Sequence, residues 1–384
     1  MKSIKNFFLD LYYIFRGHYG KKVSADYQFA FIVNSRNHSD IYRKYPGFKW
    51  IPKSLALFIM KHMWPITLSK VTGVASIKSG KEIEGYVLGI TMTAEQMLKN
   101  RDLALKKIRQ ALFLAKGRGV KIVGLGGLTS SMSRGGLDLL DIDINITTGH
   151  AYTAFNVTQN LVRITELFGM PPKKIKVAVV GAAGSVGSMT ATLVARGGYG
   201  SVVLIDLKRK HPAFEDLIKT MKSLNHGIHI DISDTVNDIK GCDFIVTATN
   251  TSEALITADI VEEGMVIIDD AQPSDIHSDV LKMPNVLVLE AGVVNTPNIY
   301  SNFNYGLKNR TDNFCCMAEL LILASMEWNE HYVINRATLE NIDHISGLGK
   351  QVGFDIASLQ NFLESISHDK IENVKKLALK KHGF

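Results

Sequence analysis

The stretch 176–196 constrains the fold of this 384-residue chain more than any other. Lys176-Val-Ala-Val-Val180 is a short apolar, β-branched run that leads without a spacer into Gly181-Ala-Ala-Gly184-Ser-Val-Gly187, and from there into a helical pattern, Met189–Arg196. Strand, tight turn and helix in immediate succession give a glycine triplet physical meaning. Gly181 permits the turn, Gly184 lets backbone approach a diphosphate, and Gly187 lets the helix pack closely on the strand. The diphosphate then lies at the helix N-terminus, where N–H groups and the macrodipole favour an anion. Gly181, Ala182, Gly184, Ser185, Val186 and Gly187 are the candidate dinucleotide cradle, with a purely structural βα turn as the bland alternative.

The runs that follow strengthen the first reading. Ile175–Gly181, Val202–Asp206, Phe244–Ala248, Val266–Asp270 and Val286–Leu289 are almost continuously apolar, as strands buried on both faces of a parallel sheet must be. Alternating with helical patterns, they predict a doubly wound α/β domain over 149–305. Asp206 ends the second strand, where an acid commonly binds the adenosine ribose and favours NAD; Lys208, Arg209 and Lys210 follow and suit a 2′-phosphate. Thr247, Ala248 and Thr249 would lie at the carboxyl edge of the sheet, where ligands bind. Gly169-Met-Pro-Pro-Lys-Lys174 marks a boundary, and Thr148 is a candidate N-cap for a helix reaching Phe168. Residues 1–148 read as a second α/β unit, with a helix over Lys99–Lys116 and a strand over Val120–Gly124. Residues 306–384 read as helices, the basic amphipathic tail from His368 being expected to pack on the N-terminal unit.

Composition excludes a disordered or disulfide-stapled chain: 46% of residues are apolar and 21% charged. The three cysteines, two of them adjacent, suit free thiols in a reducing, cytoplasmic setting. The net charge of +7 is too diffuse to argue for nucleic acid. No metal-ligand spacing stands out. The apolar segment Phe7–Phe15 is too short to span a bilayer. Flanked by Lys2, Lys5, Arg16, Lys21 and Lys22, it is either a helix packed on the protein itself or an interfacial anchor at a membrane surface.

The cysteine pair opens the apolar run Asn313–Trp328. With Asp312 or Asn313 as N-cap, Cys315 and Cys316 fall in the first helical turn, where the positive end of the helix favours a thiolate. Glu319 lies one turn further on the face of Cys316. Helix logic alone leaves open whether either thiol is a nucleophile or a small buried hydrophobe.

Several segments together are more specific: Gly124-Leu-Gly-Gly-Leu-Thr-Ser130, Thr147-Thr-Gly149 with Thr153-Ala154, Val177–Gly187, Leu289-Glu-Ala-Gly-Val-Val294 and Phe314-Cys-Cys-Met-Ala-Glu319. In these the chain resembles the aldehyde-forming long-chain fatty acyl-[acyl-carrier-protein] reductases, from about Phe29 to Phe354. The resemblance implies a Rossmann domain beside a substrate domain, and NADPH as the favoured cofactor with NADH as the alternative. It implies a fatty acyl thioester of acyl carrier protein or CoA as substrate. Cys316 matches the family's acyl-accepting cysteine, with Glu319 beside it, and Cys315 matches a small residue. Amides of the Gly126–Ser130 loop would then face an oxyanion. Two departures stand out. Tyr152 replaces a His usual in the family, while His150 directly follows Gly149, and Asp206 replaces a small residue. Three other readings remain: a shikimate-dehydrogenase-like oxidoreductase acting on a small polar acid without a covalent step, a cysteine-dependent glutamyl-tRNA reductase, and a non-catalytic dinucleotide sensor.

Overall fold

The structure, a computed structural model, describes residues 2–20, 26–35, 38–44, 46–251, 253–271, 273–303 and 305–383. Lys21 and Lys22, expected to flank the N-terminal segment, lie outside the described residues, as do the side chains of residues 2–7. The principal helices are α1 (Lys2–Tyr19), α2 (Lys53–His62), α3 (Arg101–Arg118), α4 (His150–Phe168), α5 (Ser185–Arg196), α6 (Cys315–Ser325) and α7 (His368–Lys381). The chain divides into two compact units. One comprises 1–149, 296–336 and 343–355; the other comprises 150–295, 337–342 and 356–384.

The first unit is built on β1 (Phe29–Ser35), β2 (Ile66–Thr72), β3 (Gly85–Thr93), β4 (Ile122–Leu125) and β5 (Asn145–Thr147). In the sheet they run β2-β3-β1-β4-β5, with the short strand Tyr300–Ser301 antiparallel to β2 at the edge. β1 lies parallel to β3 and β4, and β4 parallel to β5, whereas β2 is antiparallel to β3. Leu320, Leu321, Ile322 and Leu323 of α6 are all fully buried, which explains why this helix is apolar all round rather than on one stripe.

Helix α1 docks on α3 by glycine. A Cβ on Gly17 would lie 1.8 Å from the Phe113 carbonyl oxygen, and one on Gly117 would lie 1.9 Å from that of Tyr13. Its one acid is buried: Asp10 accepts from Thr67 N (2.8 Å), Thr67 Oγ1 (2.7 Å) and Arg118 Nη2 (2.7 Å). The Arg118 guanidinium also sits 4.5 Å from the Tyr13 ring centroid and 4.8 Å from that of Tyr86. One face of the N-terminal segment is therefore packed on the protein itself, while Phe8, Tyr12, Phe15 and Tyr19 stay exposed on the other. Removing the segment would strip Arg118 of its carboxylate.

The second unit carries β6 (Lys176–Val180), β7 (Ser201–Ile205), β8 (His229–Ser233), β9 (Phe244–Thr247), β10 (Val266–Asp269) and β11 (Leu287–Glu290). Their order, β8-β7-β6-β9-β10-β11, is parallel throughout. This is a doubly wound Rossmann sheet whose order reverses between β6 and β9, where such folds open a ligand crevice. Of its strands, β8 is the one that the apolar runs do not mark.

Two expectations are corrected here. The tail does not pack on the N-terminal unit: Val374 and Ala378 of α7 join the apolar cluster that holds Val177, Phe244 and Leu287, and His382 Nε2 lies 2.9 Å from Asp243. Its apolar face said that it packs but not on what. The helix expected to be capped by Thr148 begins at His150, and Thr148 Oγ1 is buried with no partner among the described residues.

Candidate active site

In the second unit, the glycine loop meets the geometry that its spacing requires. Gly181 has φ +85°, and a Cβ there would sit 2.6 Å from the Ala248 carbonyl oxygen; at Gly187 a Cβ would sit 2.3 Å from the Gly181 oxygen. Gly184 is the N-cap of α5 and has no close neighbour beyond the Gly181 oxygen at 3.1 Å and the Ala248 oxygen at 3.9 Å, so its outer side is open to a ligand. Ser185 Oγ, in the first turn of α5, is buried without a hydrogen-bond partner among the described residues. An open glycine at a helix N-cap beside an orphaned hydroxyl fits a diphosphate.

Asp206 is more tightly engaged than a free ribose ligand. Its carboxylate accepts from Ala183 N (3.0 Å) and Leu207 N (2.8 Å), and Lys210 Nζ lies 3.0 Å away. It therefore pins the glycine loop to the end of β7. Lys208 and Arg209 stand exposed on a short 3-10 segment and make no ion pair among the described residues. Thr247 is fully buried, and its hydroxyl donates to Asp269 (2.7 Å). Thr249 Oγ1 donates to Asp275 (2.6 Å).

Sequence reasoning missed these acids: Asp269 and Asp270 close the strand run Val266–Asp270, and the sequence does not show that Asp275 turns back toward them. Asp269 is fully buried, and Ser274 Oγ (2.6 Å) and Ala271 N (3.0 Å) also donate to it. Burial, and then the charge of Asp275, push its pKa up to about 7. Burial raises Asp275 to about 6, and burial followed by its two neighbours holds Asp270 well above the ordinary range. The fold thus keeps protons that the unfolded chain releases near pH 4. Their contribution to stability is fully present below about pH 4 and is lost as pH rises through 6 to 7. Thermal melts should therefore show Tm falling from pH 5 to pH 8. Asp269→Asn, which keeps the shape without the charge, should flatten that slope and raise Tm at pH 8 by a few degrees. An unchanged slope would show Asp269 to be ionised throughout.

In the first unit, the cysteine pair separates. Cys315 is buried and Cys316 partly exposed, both in the first turn of α6 and neither in a disulfide. Asp312 and Asn313 do not cap this helix. They form a short strand ending at Phe314, which is the N-cap, and they bind Asn309 Nδ2 (2.9 Å) and Thr296 Oγ1 (2.6 Å) instead. Glu319 is fully buried; its Oε1 accepts from Thr147 Oγ1 and from Gly149 N (3.0 Å). Gly149, with φ +78°, lies so close that a Cβ on it would be 2.4 Å from both Cα and Cβ of Cys316. Glu319 therefore holds the Thr147–Gly149 turn against the cysteine's backbone. Beside the loop that leads to α6, a cavity of about 560 Å³ is lined by residues that include Tyr300, Phe303, Tyr305 and Arg310.

The oxyanion role expected for the Gly126–Ser130 loop is not supported. Gly126 N donates to Ile32 O (2.8 Å), Leu128 N to Asn34 Oδ1 (3.0 Å) and Thr129 N to Gly126 O (3.2 Å). Gly124 serves packing instead: a Cβ there would meet Leu320 of α6 at 3.0 Å. Among the described residues, no cluster of His, Cys, Asp or Glu could hold a metal ion, and no helix is long and apolar enough to cross a membrane.

Residues 166–291 match the shikimate/quinate 5-dehydrogenase family, a third of the chain and most of the second unit. The chain is 24% identical over 348 residues to the aminotransferase PigE of Serratia sp., covering 89% of this chain but only 39% of PigE. It is 25% identical over 312 residues to the long-chain acyl-[acyl-carrier-protein] reductase of Synechococcus elongatus, covering 77% of this chain and 86% of that enzyme. It is 24% identical over 226 residues to the glutamyl-tRNA reductase of Archaeoglobus fulgidus, covering 57% of this chain and 49% of that one. The chain therefore carries an oxidoreductase-type dinucleotide-binding fold, related to acyl-[acyl-carrier-protein] reductase and to shikimate dehydrogenase.

Proposed function

We propose that the protein is an NAD(P)H-dependent reductase that converts a fatty acyl thioester, carried by acyl carrier protein or CoA, to an aldehyde through an acyl-enzyme on Cys316. One observation carries this reading. In a helix whose other early residues are buried, Cys316 is partly exposed at the N-terminal turn, and a left-handed glycine fixed by Glu319 seats its backbone. The relative from Synechococcus elongatus, whose name describes an acyl-[acyl-carrier-protein] reductase, spans both units of the chain and supports the same reaction class.

The Cys316 sulfur attacks the thioester carbonyl carbon, the bond from that carbon to the carrier sulfur breaks, and the carrier leaves as a thiol after taking up a proton. Exchange of one thioester for another is nearly isoenergetic, so the protein's main contribution is to position the sulfur. Gly181, Gly184 and Ser185 would hold a dinucleotide, which when bound would supply the hydride needed to reduce the acyl group on Cys316. Collapse of the resulting hemithioacetal releases the aldehyde and returns Cys316 to the thiolate. Glu319 acts as a positioning residue through the Gly149 turn.

Intact-mass spectrometry after mixing with acyl-CoA or acyl carrier protein, without reductant, tests this reading. An acyl adduct mapped to Cys316 supports it. No adduct, with hydride transfer to or from a small polar acid, would favour the shikimate-dehydrogenase-like alternative; no turnover of either would favour a sensor.

For the cofactor, exposed Lys208 and Arg209 favour NADPH. Replacing both by Ala should lower kcat/KM for NADPH by about tenfold, roughly 1.4 kcal/mol, and leave that for NADH nearly unchanged. Asp206→Ala does not separate the cofactors, because it also releases the glycine loop. A wild type that prefers NADH overturns this choice.

A further inference from the structure

The first 81 residues hold 14 Lys and Arg against three Asp and Glu, a net of +11, whereas the whole chain carries +7. Residues 82–384 are therefore net acidic, at −4. One of those three acids, Asp10, is buried on Arg118, and another, Asp40, pairs with Arg43. No Asp or Glu occurs between Asp40 and Glu82. A modest overall excess thus conceals one strongly basic segment.

The same segment carries the exposed aromatics. Phe8, Tyr12, Phe15 and Tyr19 of α1 are exposed, as are Trp50 and Phe58; among the described residues, Tyr300 is the one aromatic of this exposure found elsewhere. Their spacing is helical. On α1 the inward stripe is Asp10, Ile14 and Gly17, and the aromatics recur at intervals of four, three and four on the outward side. On α2 the inward pair is Ala56 and Met60, while Leu55, Phe58 and Ile59 form a second apolar stripe turned to solvent. An apolar stripe beyond the one that meets the core has no function in folding. The two helices are tied together where the Phe8 ring lies 6.4 Å from that of Trp64, just past α2. Behind the outer face of α1, a cavity of about 520 Å³ is lined by Ile14, Phe15, Trp64, Leu105 and Phe113, with Lys106 among its polar residues. Arg16, Lys49 and Lys53 stand exposed among the aromatics.

We infer that the outer faces of α1 and α2, together with Trp50, dock onto the surface of an anionic phospholipid bilayer. Aromatic and aliphatic side chains would enter the headgroup boundary while the surrounding cations meet acidic headgroups, the composition that interfacial binding requires. A protein partner would need a complementary acidic patch with apolar pockets, and nothing in the pattern points to one. This inference does not rest on the reaction proposed above, and its test reads no turnover.

The full chain is cosedimented with vesicles of phosphatidylcholine alone and of phosphatidylcholine with 30% phosphatidylglycerol. Binding should be at least tenfold stronger to the acidic vesicles and should weaken as salt rises. Emission of Trp50, the most exposed of the three Trp at 90%, should shift to the blue on binding. Phe15→Glu with Phe58→Glu, at side chains 57% and 61% exposed, should cut binding at least tenfold with Tm unchanged. Equal binding to neutral and acidic vesicles, or acidic-vesicle binding untouched by the double variant, overturns the inference. So does a salt-insensitive dimer in light scattering that the double variant abolishes while vesicle binding is absent, because the surface would then hold a second copy of the chain.

Discussion

Cys316→Ser should reduce aldehyde formation by at least about 10³-fold, the scale on which loss of a covalent nucleophile acts. A serine hydroxyl at that position is a far weaker nucleophile than a thiolate. Dinucleotide affinity should stay within about twofold, because the glycine loop belongs to the other unit and is not altered. Cys315→Ala makes the control. Its thiol is buried at the start of α6, so losing one sulfur atom costs a small cavity, about 1 kcal/mol, and leaves turnover largely intact. The measurements are steady-state aldehyde production, dinucleotide titration and the acyl adduct by mass, on both variants. Full activity in Cys316→Ser would remove the covalent mechanism. If Cys315 alone proves essential, the roles of the pair are reversed, and the nucleophile must then leave the core to react.

How far the sequence carries can be read strand by strand. Five of the six strands in the dinucleotide-binding sheet were legible because a parallel strand buried on both faces is a continuous apolar run. β8 escaped because it lies at the edge: His-Ile-Asp-Ile-Ser alternates, and His229 and Ile232 are exposed. In the first unit β3 was hidden by its own glycines. Gly85 and Gly89 interrupt its apolar run, yet a Cβ at Gly85 would lie 2.1 Å from the Phe29 ring, and one at Gly89 would lie 2.8 Å from Leu68. Neighbouring side chains fill the space that these glycines leave, so each glycine serves the packing of the sheet. At the candidate site, Cys316 and Glu319 were legible because both lie on one helical face. The contact from Glu319 to Thr147 and Gly149 was not, since it joins residues some 170 apart in sequence. A helix N-terminus shows in sequence; the turn that closes on it appears only in the fold.

Gly149→Ala tests that turn and should be among the most costly single-methyl additions in the first unit. Three effects act together. At φ +78° an L side chain is strained by about 1–2 kcal/mol. The new methyl would lie 2.4 Å from Cα and Cβ of Cys316 and 2.8 Å from its carbonyl oxygen, atoms that cannot swing aside as a side-chain tip can, and overpacking of this kind costs about 1–3 kcal/mol. Any retreat of the turn pulls Gly149 N from Glu319 Oε1, leaving a buried acceptor short of a donor at about 1–3 kcal/mol more. The effects overlap, so the expected loss is about 3 kcal/mol rather than their full sum. Gly80→Ala in the same unit separates strain from contact: its φ is +70°, and nothing lies within 4 Å of the added methyl. It should cost the strain alone, about 1–2 kcal/mol, and leave acylation of Cys316 untouched. Urea unfolding of both variants, with the acyl adduct measured below the transition, decides the matter. If Gly149→Ala costs no more than Gly80→Ala and still takes the acyl group, the turn does not seat the cysteine, and Glu319 is a core residue without a part in the site.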